Sequence, residues 1–255
     1  MESRILVDMA QVSEAEFTKW IRECISSVRD AQNFAIEAHR RDEFLLLHGL
    51  IVRTLRYCDA FLLLNKSGFE VEATALARAA LEHSITLQWV FLVEGGVERY
   101  RVFASQRIRN HYKQLAEWED HDELRSAVND MPPVFEGSGL GSFSDLLKNL
   151  DDGSFLIEQY HLLSQQVHVT HETVLSALTL ENGETGILWD QQYPYRRSAT
   201  QICAISSMFA RWVLANQTND TELLAYLDQV SEALVIPMNL ATQVRQPQVL
   251  RNEFR

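Results

Sequence analysis

Arg78, Glu82 and His83 stand in the middle of Glu70–Glu94, EVEATALARAALEHSITLQWVFLVE, a stretch that is otherwise apolar nearly all the way round. A helix apolar on every side is normally buried at the centre of a bundle. Ions there are costly unless partnered, so these three side chains require an explanation. Such a cluster either fixes the register of packed helices or marks a site where charge is put to use. At about 100° per residue, Val71, Thr74, Arg78, Glu82, Ile85 and Trp89 form one stripe, and Arg78 reaches Glu82 one turn on. His83 lies roughly 140° from Arg78 and faces elsewhere.

Two other stretches can partner the stripe. The preceding segment carries His48, Val52, Arg56 and Asp59 on one face, and the tight Ser67-Gly68 connection makes an antiparallel helical hairpin. Folded about Ser67, it offers Asp59 to Arg78 and Arg56 to Glu82. Far along the chain, Tyr160, Ser164, His168 and His171 fall within roughly 80° of arc on one helix. Flanking Ile157 and Leu175 turn that face inward. One polar layer containing Arg78, Glu82, Tyr160, Ser164 and His168 is therefore expected.

The elements that must position these groups are helices. Leu, Ala, Glu and Arg are frequent, there are 10 glycines and 5 prolines in 255 residues, and no window alternates as a strand would. The expected fold is an all-α single bundle of about seven main helices around the buried helix at 70–94, with no sheet. Ser13 and Glu16 form a capping box for a first helix reaching about His39, and Asp42 can cap the second. Gly95-Gly96 ends the central helix. A short helix and an irregular insertion occupy about 120–141, where Pro132-Pro133 and a run of glycines fall. Ser142 or Ser144 caps a short helix, and a long one runs from Gly153-Ser154 to about Leu180. Asn182-Gly183 reads as a loop. The domain spans 1–240, and 241–255 form a loosely held tail.

Leu76-x-Arg78-x3-Glu82, followed by Tyr160-x3-Ser164-x3-His168, resembles a family of bacterial all-helical proteins classed as a domain of unknown function, over about Arg41 to Ala177. That resemblance implies a fold and a shared polar cluster, but no activity. Arg78-x4-His83 also resembles the R-x4–6-H motif of HEPN-type ribonucleases of toxins and phage-defence systems, with Ala79 where those proteins carry a polar residue. This second likeness implies that the His helps activate a ribose 2′-hydroxyl while the Arg stabilises phosphate charge. His83 or His168 would be the base.

The run Arg99–Lys113, RYRVFASQRIRNHYK, contains no acid. Its Arg99, Arg101, Arg107, Arg109 and Lys113, interleaved with Tyr100, Phe103, His111 and Tyr112, could bind RNA phosphates and stack on bases. The alternative is a solvated face paired with the acidic stretch Glu117–Glu123. A net charge of −12 opposes general affinity for nucleic acid or anionic membranes. Glu158-x2-His161 is a lone E-x-x-H, without the second copy that a bundle di-iron site needs. A mononuclear set of His168, His171 and Glu82 is the remaining metal arrangement. No metal and no cofactor are expected, and no phosphate-binding glycine loop or nucleophile elbow is present.

Cys24, Cys58 and Cys203 lack a C-x-x-C and read as reduced thiols. With no signal-peptide layout or membrane span, a soluble cytoplasmic protein is expected. The five tryptophans read as packing anchors, while Phe209, Trp212 and Val213 make either a core or a homodimer face. Together these readings describe a stress or defence module acting through a protein partner or small ligand. The rival is a metal-independent endoribonuclease.

Overall fold

Ser13 opens the first helix with a reciprocal cap. Its backbone N–H donates to Glu16 Oε2 at 2.7 Å, and its hydroxyl accepts the Glu16 N–H at 3.3 Å, pairing groups that the first helical turn leaves open. The computed structural model describes residues 12–31, 34, 36–131, 139–150, 155–168, 175, 178–181, 184–187 and 193–241. Among these, nine helices follow in order: α1 (Glu14–Arg29), α2 (Arg41–Lys66), α3 (Glu70–Leu92), α4 (Gly96–Trp118), α5 (Asp122–Asp130), α6 (Phe143–Leu150), α7 (Phe155–Val167), α8 (Arg196–Gln217) and α9 (Thr221–Leu234). The fold is all-α.

Several boundaries differ from the sequence reading. The first helix stops at Arg29 rather than His39, closed by Asp30, whose N–H bonds Ser26 O. Asp42 lies inside the first turn of α2 and does not cap it. Gly95 and Gly96 begin α4 instead of ending α3. Gly95 takes the left-handed conformation (φ +69°), and a Cβ on Gly96 would meet Val90 O at 2.5 Å. Ser142, not Ser144, caps α6 through a reciprocal exchange with Asp145.

The expected helix to Leu180 gives way to a small antiparallel ribbon, β1 (Leu178–Glu181) and β2 (Glu184–Ile187), with Leu178 opposite Ile187. Asn182-Gly183 between two β-prone triplets is a strong hairpin signal, and reading it only as a loop missed the ribbon. Those two residues, Pro132-Pro133, Gly153-Ser154 and the tail from 242 lie outside the described residues.

α3 is central as expected, packing on α2, α4, α6, α7 and α8. It shares that position with α8, which is buried on every side from Ala199 to Ala215. Ala77, Ser84 and Gln88 lie along one line of α3, and Gln88 there donates to Phe209 O of α8 at 3.2 Å. The centrality of α8 is masked in its sequence by Thr, Gln and Ser. Two of them are buried by hydrogen bonds inside their own helix, Thr200 to Arg196 O and Ser207 to Cys203 O. Phe209, Trp212 and Val213 belong to the core. One cluster of buried residues runs from Val12 to Leu240.

The three cysteines are free and buried, and burial pushes the Cys24 and Cys203 thiols well above their usual range. No helix among the described residues is long and apolar enough to cross a membrane.

Candidate functional site

Arg78 is a hub between α3 and α7. Its Nε donates to Glu82 Oε1 at 3.1 Å and its Nη2 to Tyr160 OH at 2.9 Å, while Nη1 lies 3.3 Å from His168 Nε2. The guanidinium also sits 5.0 Å from the Tyr160 ring centroid. Arginine only donates, so His168 Nε2 accepts and that ring carries its proton on Nδ1. The side chains of Arg78 and Glu82 are 19% and 34% exposed, which makes this a half-open layer rather than a sealed ionic core.

The predicted gathering of Arg78, Glu82, Tyr160 and His168 is present. Ser164 shares the helix but spends its hydroxyl on Tyr160 O at 2.6 Å. His171 lies outside the described residues.

Arg56 and Asp59 do not join the layer. They are exposed and line a separate cavity beside Ile25 and Val28 of α1. Folding the hairpin about Ser67 gives the right height along α3, but the roll of α2 about its own axis was misjudged. That roll turns Tyr57 inward instead, with its ring centroid 5.0 Å from that of His83 and its hydroxyl accepting from Arg53 Nε at 3.2 Å. The sequence reading missed both Arg53 and Tyr57; their only signal was an i,i+4 spacing.

His83 turns away from Arg78, as the angular argument requires. Its Nδ1 donates to Ala79 O at 2.8 Å, since a carbonyl only accepts. Burial lowers its pKa below the ordinary 6.5; the nearby Arg53 charge acts the same way, against the Ala79 bond and Glu82. The ring is therefore a neutral imidazole near pH 7 whose remaining nitrogen, Nε2, is an acceptor.

Glu82 and His83 nonetheless meet in one place. Both line a cavity of about 320 Å³, together with Tyr100, Phe103 and Arg107 of α4 and Phe143 of α6. Burial pushes the Tyr100 phenol up, so it stays protonated and able to donate. Phe143 packs on Tyr160 with ring centroids 4.6 Å apart, so the Arg78 hub buttresses this wall from behind. Phe143 carried no sequence signal beyond being an apolar residue in a short helix.

The basic run does not present one face. Arg99 turns inward over Trp89 at 4.6 Å, and Arg109 donates to Met131 O at 3.0 Å. Arg101 is half-buried, Lys113 is exposed, and Arg107 lies over Phe103 at the cavity. Asp120 and Asp122, the expected partners of the run, hold Arg125 instead. Trp20, Trp89 and Trp212 are buried anchors, but Trp118 is 82% exposed; Trp189 is not among the described residues. No group of three or more His, Cys, Asp or Glu able to hold a metal occurs among the described residues.

Residues 44–185 match the model of a family of unknown function, DUF5677. The chain belongs to this family. No HEPN match accompanies it, and no curated protein or solved structure matches the chain. The DUF5677 span contains the whole Arg78 hub and every residue named above as lining the cavity with Glu82. It leaves out α1, α8 and α9, which close the core from the other side.

Proposed function

We propose that this DUF5677 chain is a small-ligand-binding helical module whose site is the cavity shared by Glu82 and His83. The observation that carries the reading is the double use of Glu82. One carboxylate oxygen is held by Arg78, while the side chain lines a cavity of about 320 Å³ that also contains a neutral imidazole and an arginine. Ligand pockets run from roughly 300 to 1,000 Å³, apolar walls with a few converging polar groups being their usual make-up. The cellular setting we attach to it, a bacterial stress or phage-defence component, rests on motif resemblance alone. The test is calorimetric titration of the folded protein with small anionic and heterocyclic compounds, beside Glu82→Gln. Saturable binding that Glu82→Gln weakens supports the reading, and its absence from folded wild type sinks it.

A second reading is favoured by the shared position of His83 and Arg107. A neutral imidazole with a free acceptor nitrogen beside a cation is the pairing that metal-independent ribonucleases need. On this reading His83 is the base and Arg107, rather than Arg78, meets the phosphate, because Arg78 is occupied by Glu82, Tyr160 and His168. RNA cleavage in the presence of chelator, lost in folded His83→Ala and Arg107→Ala, is the expected result. Intact RNA after incubation with folded wild type would remove this reading.

A further inference from the structure

We infer that the cavity takes a guanine mononucleotide, with the donor edge of the base on Glu82 and His83 and the phosphate on Arg107. This rests on the small-ligand reading above and names its ligand.

The acceptors decide the base. Glu82 has one oxygen committed to Arg78 and one left over. His83 has donated its Nδ1 proton to Ala79 O, which leaves Nε2 as an acceptor. Thr86, one turn beyond Glu82, has donated its hydroxyl proton to Glu82 O at 2.8 Å, so its oxygen too can only accept. All three side chains line the same cavity. Such a row wants a ligand edge with adjacent donors, and guanine, with N1–H beside its exocyclic amine, is the common base that presents one. Adenine sets an acceptor beside its amine, which would face the carboxylate lone pairs. Tyr100, whose phenol burial keeps protonated, is the donor suited to guanine O6.

Two more features complete the fit. Tyr100, Phe103 and Phe143 supply aromatic surface on which a base can stack. Arg107 is exposed at the mouth, lies over the Phe103 ring at 5.5 Å, and has no ion-pair partner among the described residues. A planar cation on an aromatic ring beside a base site suits a phosphate. The formal charge of −12 disfavours a long polyanion and allows a single nucleotide.

The test is calorimetry on the full chain with guanosine, GMP, GDP and GTP, using AMP, ATP and a short G-rich single-stranded RNA as comparators. Saturable guanine-nucleotide binding is expected, with adenine nucleotides weaker by roughly tenfold or more. Glu82→Gln turns a donor toward N1–H and should weaken GMP by about tenfold or more. Arg107→Ala, on an exposed position that does not threaten folding, should bring GMP down to the affinity of guanosine. Equal affinity for AMP and GMP, indifference of GMP to both variants, or tighter binding of the RNA than of any mononucleotide would each overturn the inference. If another small compound binds in a Glu82-dependent way and no guanine nucleotide does, this inference falls and the small-ligand reading stands. If nothing binds the folded wild type, both fall.

Discussion

Where α3 meets α8, Ala77, Ser84 and Gln88 face a helix buried from Ala199 to Ala215. Inside that contact Gln88 donates to Phe209 O and accepts from Leu240 N–H, while the Glu70–Arg196 ion pair joins the two helices at their exposed ends. Where the same helix meets α4 and α6, Glu82 and His83 line a cavity, and the half-open Arg78 hub stands behind it on the α7 side. Both sides bury side chains, but on the first every polar atom of Gln88 named here is spent inside the protein. On the second, acceptors are left over after the internal bonds are made. Gln201, Ser206 and Arg211 of α8 also keep polar atoms unpaired among the described residues, but those are sealed in the core, whereas the leftover acceptors of Glu82 and His83 line a cavity that a ligand can enter.

The contrast can be broken by mutation. Phe209→Ala on the sealed side removes a fully buried ring and should cost about 3–5 kcal/mol in denaturant unfolding. Arg78→Ala on the open side should cost only about 1 kcal/mol, because Glu82, its ion-pair partner, is part-exposed. Its signature would be faster amide exchange in 155–168 as α7 loosens. Equal losses for the two variants would erase the distinction between the faces.

A pH titration sharpens the contrast further. The folded-state pKa of His83 lies below its ordinary 6.5, so between those values the unfolded chain binds more protons than the folded one. Its contribution to stability is fully present above pH 6.5 and is lost as pH falls toward the lowered value. His48, half-buried and lowered in the same direction by burial, contributes alike. Melting temperature should therefore drop below pH 6.5, and His83→Gln should flatten part of that drop; an unchanged slope would contradict a buried neutral His83. The smallest effect belongs to Trp118→Ser. At 82% exposure it touches neither face of α3, and stability should stay within about 0.5 kcal/mol of wild type.

Much of this arrangement was readable from local pattern. The central stripe, the separation of His83 from Arg78, and the common side from which Tyr160 and His168 meet Arg78 follow from the angle between residues on a helix, although His168 itself stays exposed just past the end of α7. Capping at Ser13 was readable for the same reason, since its partner Glu16 is three residues away. The partners across helices were harder. Arg56 and Asp59 were placed at the right height but on the wrong side of α2, and Tyr57 was missed, because nothing local specifies how one helix rolls against another. Only the side chains competing for the interior decide that.

By itself, then, the sequence determined an all-α chain, a buried charged helix and the side chains that share its faces, since helical periodicity and capping act over a few residues. Tertiary structure alone decided that α8 is a second central helix and that α4 contributes Arg107 to the cavity while Arg99 turns inward. It also decided that Glu82 joins the Arg78 hub to the cavity holding His83. Each of these depends on which surfaces meet across long stretches of chain, and burial energy summed over the whole core selects that arrangement.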